Sequence, residues 1–412
     1  MKMKAICYLL LIPVCWISCN KKNMQLTDAE LVRYNNEYQI KIDSVINSII
    51  PDKRLTVCEI SINIQQSKIQ ITGYMYGLKY FNHLKNYISQ LNNRNIEFNV
   101  VLLSDQPNPD KSKGIISNTT GNIRSKPKHS SELVTQALMG TPVKVFIVKN
   151  GWALIQTPDN YVGWIDTPAL QIKSENEMQK WYLSQRIIYN QLYGFGYEKP
   201  DTKSQIISSL TLSNIIEVIP GKTDGFFHIK LPDNREAFIP KQEAIPLEQW
   251  LNSCNPSGQL LTGYALLFNG VSYLWGGTSA MGIDCSGFIK ILYFMNGIIV
   301  QRDASQQTLY GQAISTQNNF NNLQVGDLMF FGNAASHKQP ERIWHVGMYI
   351  GDKKFIHASG KVRISGLDSL STNYENEYMA MLVRVRRYLG HVNQPGIEDL
   401  RKNDFYKFYL IH

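Results

Sequence analysis

A single cysteine, Cys285, lies in a stretch that could support nucleophilic chemistry. The stretch reads GIDCSGFIKILYF over residues 282–294, with Asp284 before the cysteine and apolar residues at helical spacing after it. A thiol attacks a carbonyl only as the thiolate, and the positive end of a helix dipole favours that anion. The pattern predicts that Cys285 is a nucleophile at the start of a helix. The alternative is a small packing residue, the commoner role of a lone cysteine.

A nucleophilic thiol needs a base, and two histidines follow at a suitable spacing. His345 and His357 lie twelve residues apart in WHVGMYIG and KKFIHASG, two segments with the alternating pattern of strands. Antiparallel pairing would bring both side chains together on one face. The order Cys, His, His then predicts a nucleophile, a base and a group that orients the base; structural histidines are the alternative. The Cys/His spacing fits no zinc pattern, so we expect no metal and no other cofactor.

The segments around these residues resemble one family. YLWGG, DCSGF, RDASQQ, VGDLMFF, HVGMYIG and FIHASG occur in this order. Together they resemble the NlpC/p60 family of papain-like cell-wall cysteine peptidases. The resemblance implies a catalytic domain over residues 249–390. It implies that Cys285 is the nucleophile, that His345 is the base and then the acid for the leaving amine, and that His357 holds the ring of His345.

The same resemblance implies which groups surround the scissile bond. The oxyanion would be met by the backbone N–H of Cys285 and by the hydroxyl of Tyr273. Substrate contacts within this domain are expected from Asp284, Ser286, Trp275 and Ser305. Asp284 and Ser286 resemble residues that hold the L-Ala amine and the D-Glu carboxylate, and both also suit helix capping. Trp275 would wall the site, with packing as its alternative role.

Two segments ahead of this domain have the short strands and regular turns of small β-barrels. Residues 114–172 resemble a bacterial SH3-like domain, and residues 194–246, after a helix expected near 175–193, resemble a weaker second copy. The pair resembles the branch of γ-D-glutamyl-L-diamino acid endopeptidases. In that branch an acidic residue and a tyrosine of the first barrel close the pocket over a free L-Ala amine. The matching positions are Glu132 and Tyr161, which could instead be a surface ion-pair partner and a barrel aromatic.

The remaining chain predicts a further small domain. Residues 25–108 alternate helical and strand patterns, and residues 107–113, PNPDKSK, are typical of a linker. We find no catalytic pairing in this region. The fold class is therefore α+β and multidomain, with an N-terminal α+β domain, two SH3-like barrels and a papain-like catalytic domain.

The first residues have the layout of a secretory signal. Two lysines precede an apolar run from Ala5 to Ile17, which is too short to span a membrane. The ending WISC resembles the lipobox of bacterial lipoproteins, which implies a signal peptide over residues 1–19 and lipidation of Cys19. An ordinary signal peptide cut nearby is the alternative. Cys58 and Cys254 remain possible disulfide partners.

The net charge limits the classes of molecule that the protein is expected to bind. The chain carries a formal net charge of +9, which suits an anionic polymer or a generic basic surface. There is no long Lys/Arg run and no nucleic-acid module, so we expect no nucleic-acid partner. The leading hypothesis is a monomeric, membrane-anchored, periplasm-facing peptidase that acts on peptidoglycan-derived peptides of the form L-Ala-γ-D-Glu-diamino acid. The alternatives are an endopeptidase of intact wall and a non-catalytic wall-binding scaffold.

Overall fold

The structure is a computed structural model that describes residues 27–65, 68–91, 95–103, 112–317 and 320–406. The predicted signal peptide, with Cys19, and most of the predicted 107–113 linker lie outside the described residues. The described residues divide into two compact units: one holds those of 27–51 and 59–101, and the other holds 52–58 and the described residues from Leu102 onward. No helix of the described part is long and apolar enough to cross a membrane.

The first unit combines two helices with a small sheet. Its elements are α1 (Asp28–Ile49), β1 (Cys58–Gln65), β2 (Lys68–Met75), α2 (Leu78–Ser89) and β3 (Asn95–Leu102), with the strands adjacent in chain order. α1 begins at a capping box in which Thr27 and Glu30 satisfy each other's backbone N–H groups. Apolar side chains of both helices and of β2 are fully buried: Ile42, Ile46, Ile69, Ile71 and Leu84. These elements agree with the predicted α+β organisation.

The second unit begins with a β-barrel at the predicted position. Its strands are β4 (Lys113–Ile116), β5 (Thr120–Arg124), β6 (Leu133–Leu138), β7 (Pro142–Lys149), β8 (Trp152–Gln156), β9 (Val162–Asp166) and β10 (Leu170–Lys173). They hydrogen bond in the order β10-β4-β7-β8-β9-β5-β6. Its core contains the fully buried side chains of Ile116, Ile123, Ile155 and Ile165. β6 and β9 carry or adjoin the residues expected to reach the substrate.

A second barrel follows, and it begins earlier than predicted. Helix α3 (Glu175–Leu183) ends ten residues before the predicted limit near 193, and β11 (Arg186–Tyr189) is already a strand of this barrel. The run RIIY is rich in β-branched residues and all four positions are buried, which favours a strand. The other strands are β12 (Tyr193–Tyr197), β13 (Ile206–Thr211), β14 (Ile215–Val218), β15 (Phe226–Lys230), β16 (Glu236–Pro240) and β17 (Ala244–Pro246). The barrel therefore spans Arg186–Pro246 rather than 194–246.

The last part of the second unit packs helices against a mixed-length antiparallel sheet. Its first elements are α4 (Leu247–Ser253), α5 (Gly258–Leu267), β18 (Thr278–Ser279), β19 (Gly282–Ile283), α6 (Cys285–Phe294), β20 (Ile298–Val300) and α7 (Ala304–Gln307). The later ones are β21 (Gln312–Ile314), β22 (Leu328–Asn333), β23 (Arg342–Gly351), β24 (Lys354–Ser359), β25 (Lys361–Gly366), α8 (Asn376–Ala380), β26 (Leu382–Arg387) and β27 (Ile397–Asp399). The main sheet has the order β21-β26-β22-β23-β24-β25, and α6 packs on β23 and β24.

This part continues beyond the predicted limit at residue 390. β27 pairs antiparallel with β20, and Leu400 and Tyr406 join the same hydrophobic core as α6. Nothing in the local pattern of residues 391–406 marks a strand of three residues, because its pairing partner lies almost a hundred positions earlier. In the described chain, Cys58 and Cys254 are not joined by a disulfide.

Candidate active site

Cys285 is the first residue of α6. The side chain of Asp284 caps the helix by accepting the backbone N–H of Gly287 at 2.7 Å. A β-carbon on Gly287 would lie 2.1 Å from the carbonyl oxygen of Gly277, so only glycine permits this close approach of helix and turn. The Cys285 side chain is 5% exposed, and its sulfur lies 3.9 Å from the carbonyl oxygen of Trp344 on β23.

The thiol is neutral in the resting site, contrary to the expectation that the helix terminus lowers its pKa. Burial raises the pKa of Cys285 to about 12, and the neighbouring Asp284 carboxylate adds to the rise. Backbone N–H groups of Val346 and Ser286 oppose it but are outweighed. Trp344 and Val346 flank His345, so the sulfur lies against β23 at the position of that histidine.

The two histidines meet as the strand pattern predicts. His345 on β23 and His357 on β24 are joined by a 2.7 Å hydrogen bond between His345 Nε2 and His357 Nδ1. Gly347 makes room for this contact, because a β-carbon there would lie 3.2 Å from the β-carbon of His357 and 2.9 Å from the ring of Phe355. Burial lowers the pKa of both histidines, and the cationic Arg363 lowers it further. The site thus holds a neutral thiol beside neutral imidazoles.

Tyr273 lies near the nucleophile. Its backbone N–H donates to the carbonyl of Gly360 at 2.9 Å, which holds it beside the end of β24. Burial raises its pKa, and the neighbouring Asp284 carboxylate raises it further. The phenol therefore keeps its proton and can donate a hydrogen bond to a developing oxyanion.

Asp284 and Ser286 flank the nucleophile in a buried cluster around Arg302. Arg302 donates to Asp284 Oδ2 at 2.5 Å and to Ser286 at 2.9 Å, and its Nε donates to Thr135 of the first barrel at 2.8 Å. Gly276 N–H also donates to Asp284 at 2.9 Å. The Asp284 carboxylate is thus a helix cap and an ion-pair partner, which is more than its sequence context indicates.

Glu132 and Trp275, both expected near the substrate, contact each other. The Trp275 indole donates to the Glu132 carboxylate at 2.9 Å, and the tryptophan is 61% exposed. The first barrel is fixed to the same turn by Gln136, whose side chain accepts the backbone N–H of Thr278 at 3.0 Å. At Gly276, a β-carbon would lie 2.2 Å from the carbonyl oxygen of Leu133. These contacts place the barrel edge beside the loop that precedes the nucleophile.

Tyr161 and Ser305 meet around Asp303. The Tyr161 hydroxyl donates to Asp303 Oδ2 at 3.2 Å. Arg54, from the short connection of residues 52–58, donates to the same oxygen at 2.7 Å and to Ser305 at 3.0 Å. Its guanidinium is held by Asp52 through contacts of 2.8 and 2.7 Å. The sequence gives no signal for Arg54, because it lies 249 positions from its carboxylate partner.

Two further polar residues, Ser365 and Glu375, extend the histidine pair, and neither was predicted from the sequence. Ser365 on β25 lies 3.0 Å from His357 Nε2 and donates to Glu375 at 2.7 Å. Ser365 follows Arg363 by two positions and so shares its face of β25, which is the only local hint. Glu375 comes from the loop before α8, where no local pattern in the sequence indicates a role.

Comparison with known proteins assigns both regions that form the site. Residues 270–386 match the NlpC/P60 family, and residues 123–170 match the bacterial dipeptidyl-peptidase Sh3 domain. The first range contains the cysteine, both histidines and Tyr273, and the second contains Glu132 and Tyr161. The predicted family and its association with an SH3-like domain are confirmed.

Similar proteins share most of this architecture. A gamma-D-glutamyl-L-lysine dipeptidyl-peptidase from Bacillus cereus is 29% identical over 271 residues, which is 63% of this chain and 77% of the relative. A protein of the same name from Bacillus subtilis is 29% identical over 257 residues, which is 60% of this chain and 79% of the relative. The crystal structure of an NlpC/P60 family protein from Bacillus cereus covers 68% of this chain and all of its own, with a TM-score of 0.57 at 23% identity. That structure supports the fold.

Proposed function

Because residues 270–386 form an NlpC/P60 domain, we propose that this protein is a cysteine peptidase that hydrolyses the γ-D-glutamyl-L-diamino acid bond of peptidoglycan stem peptides with a free N-terminal L-Ala. The observation that carries the proposal is the buried Cys285 on α6 against the strand of His345, whose ring is bonded to His357 at 2.7 Å. Relatives at 29% identity are dipeptidyl-peptidases for a γ-D-glutamyl-L-lysine bond.

The residues support a two-step acyl transfer. His345 removes the thiol proton as the sulfur of Cys285 attacks the γ-carbonyl carbon of D-Glu, and His357 orients the His345 ring. The oxyanion is met by the N–H of Cys285 and the hydroxyl of Tyr273. His345 then gives the proton to the leaving amine of the diamino acid. Water, deprotonated by His345, hydrolyses the thioester and restores the thiol.

The first barrel supports the choice of a free amine. A substrate ammonium needs a carboxylate partner when it leaves water, and Glu132 and Asp303 present two carboxylates beside Trp275 and Tyr161. Ser286 and Ser305 add hydroxyls for the D-Glu carboxylate. An intact wall strand has its L-Ala amine bonded to sugar, so this arrangement of carboxylates favours released peptides and a role in wall recycling.

Two peptides test the proposal. We expect the protein to cut L-Ala-γ-D-Glu-diamino acid with release of the diamino acid, and to cut the N-acetylated peptide much more slowly. Cys285→Ala should abolish both reactions, and Cys254→Ala is the control that removes a thiol far from the histidines. Failure to cut either peptide would overturn the peptidase proposal. Equal cleavage of both would overturn only the free-amine preference.

The cellular setting is a separate proposal. The first nineteen residues, with WISC at their end, support export and lipidation of Cys19, and hence a periplasm-facing, membrane-anchored monomer. Expressed in a bacterium, the protein should partition into a detergent phase, whereas Cys19→Ala should stay in the aqueous phase. Equal partitioning of the two would contradict the anchor.

A further inference from the structure

The histidine pair continues into a chain of hydrogen bonds that has a definite direction. From the surface inward, the members are Arg363, Glu375, Ser365, His357 and His345. We call this set the proton chain. The ring and hydroxyl members are buried, with His357 and Ser365 fully so and His345 6% exposed.

The direction begins at Glu375. Arg363 donates to Glu375 Oε2 at 2.8 Å, so Glu375 is the carboxylate of an arginine–carboxylate ion pair. An ionised carboxylate only accepts hydrogen bonds. The 2.7 Å contact between Ser365 Oγ and Glu375 Oε1 must therefore use the serine proton. With its proton committed to Glu375, Ser365 can only accept at its other contact.

The remaining protons follow from this. Ser365 lies 3.0 Å from His357 Nε2, so that nitrogen carries the ring proton. A neutral imidazole has one N–H, and burial and Arg363 keep His357 neutral by lowering its pKa. Its Nδ1 is then a bare acceptor, which must receive the N–H of His345 Nε2 across their 2.7 Å contact. The proton of neutral His345 is thereby assigned to Nε2.

We propose that Ser365 and Glu375 are positioning residues that hold His345 in the tautomer whose Nδ1 is unprotonated and free to accept the proton of Cys285. The inference rests on the proposed role of Cys285 as nucleophile. Nε2 of His345 is occupied by His357, so Nδ1 is the ring nitrogen left for the thiol.

Glu375 decides between two directions. If it did not fix the serine proton, the Ser365 hydroxyl could turn and donate to His357 Nε2. His357 would then carry its proton on Nδ1 and donate to His345 Nε2, and His345 would carry its proton on Nδ1. A protonated Nδ1 cannot accept from the thiol. In a serine protease, holding the base in the wrong tautomer lowers kcat by about 10⁴.

The tautomer is directly measurable by nitrogen NMR on the full-length protein labelled with ¹⁵N-histidine. Protonated and bare ring nitrogens have separate chemical shifts, and His345→Gln and His357→Gln assign the signals. We expect Nε2 protonated and Nδ1 bare in both rings at neutral pH. A protonated Nδ1 in His345 would overturn the proposal, whether or not the protein hydrolyses peptides, so this result is distinguishable from failure of the peptidase proposal.

An isosteric variant separates positioning from shape. In Glu375→Gln the amide oxygen faces Arg363, which can only donate, and the amide NH₂ then faces Ser365 and reverses the chain. We expect the ¹⁵N chemical shift of His345 Nδ1 to move to that of a protonated ring nitrogen. We also expect kcat to fall at least about tenfold with KM nearly unchanged, as for loss of an orienting group. Glu377→Gln is the matched control, because Glu377 is an exposed carboxylate in the first turn of α8, two residues after Glu375.

Removing the hydroxyl completes the test. Ser365→Ala leaves His357 Nε2 without its acceptor, so both tautomers of the histidine pair become populated and kcat falls. A Glu375→Gln enzyme with unchanged kcat and unchanged His345 signals would overturn the proposal. A fall in kcat with unchanged signals would do the same, because the loss would then not arise from the tautomer.

Discussion

At the scale of single residues, the site keeps its groups neutral until substrate arrives. The thiol of Cys285 has a raised pKa and the imidazoles of His345 and His357 have lowered ones, because all three are buried. Burial therefore disfavours a resting thiolate–imidazolium pair. In the proposed mechanism the proton moves when the sulfur attacks, so the acceptor nitrogen of His345 matters more than the helix dipole at Cys285.

The neutral histidines make the fold sensitive to acid. In the unfolded chain each histidine takes a proton below about pH 6.5, whereas the folded pKa of His357 is about 2. The unfolded state therefore binds more protons between these values, and stability is lost as pH falls below about 6.5. When the pH is lowered from 7 to 5, the free energy of unfolding should fall in both proteins. We expect the fall in His357→Gln to be smaller than in the native protein by about 2 kcal/mol. Urea denaturation at pH 7 and pH 5 measures the free energy of unfolding of both proteins. An equal fall in the two proteins would contradict the prediction.

Arg302 should be a strong stability determinant. Its side chain is 1% exposed and that of Asp284 is 9% exposed, so Arg302→Met leaves a buried carboxylate without its cation. We expect a loss of about 3–5 kcal/mol in unfolding free energy. Arg401→Met is the control: it breaks an Arg–Asp pair in which the arginine is 42% exposed, and it should cost less than about 1 kcal/mol. Similar losses for the two variants by urea denaturation would contradict the prediction.

At the scale of elements, three adjacent strands build the catalytic face. β23, β24 and β25 pair antiparallel, and His357 lies directly opposite Arg363 in the register. Side chains on one face recur every second residue. The alternation thus places His345, His357 and Ser365 where their ring and hydroxyl atoms meet, and Gly347 leaves space between the first two.

A methyl group at Gly347 should disturb the site without unfolding the domain. In Gly347→Ala the new β-carbon meets the ring of Phe355 at 2.9 Å and the β-carbon of His357 at 3.2 Å. We expect His357 to move away from His345 and kcat to fall by about tenfold or more. Gly263→Ala on α5 is the control, because a β-carbon there meets nothing within 4 Å, and it should keep full activity. Native kcat in Gly347→Ala would show that the histidine contact tolerates the shift.

At the scale of the second unit, distant segments complete the substrate side of the site. The first barrel supplies Glu132 and Tyr161, and residues 52–58 supply Arg54, which bonds Asp303 and Ser305. A peptidase domain alone would lack all three side chains. In the proposed function, the amine end of the substrate is bound by parts of the chain that lie far from Cys285 in sequence.

Arg54 should affect substrate binding rather than chemistry. It holds the Asp303 oxygen that Tyr161 also bonds, so Arg54→Met should release both side chains from their orientation. We expect KM for the free-amine peptide to rise roughly tenfold, the size of a lost hydrogen bond between charged groups, with kcat unchanged. Lys53→Met removes an exposed neighbouring charge and should leave KM unchanged. A lower KM in Arg54→Met would show instead that Arg54 competes with the substrate amine for Asp303.

Consecutive residues were enough to predict the family resemblance, most of the elements, and Cys285, His345 and His357 as the candidate catalytic residues. These predictions rest on local patterns, which depend only on consecutive residues. The patterns are helix capping at Asp284, strand alternation around His345 and His357, and the six ordered motifs. The same holds for the first barrel. Where a boundary depended on a partner far along the chain, as for β11 and β27, the local pattern was insufficient.

The charge states of Cys285 and the two histidines, and the residues that support them, depend on tertiary contacts. Burial, which no single segment specifies, keeps Cys285 a thiol and the histidines neutral. Arg54 is brought to Asp303 across 249 positions, and Glu375 is brought to Ser365 from a loop without periodicity. These contacts arise from packing between segments, because electrostatic and hydrogen-bond partners are selected by distance in space and not by spacing along the chain.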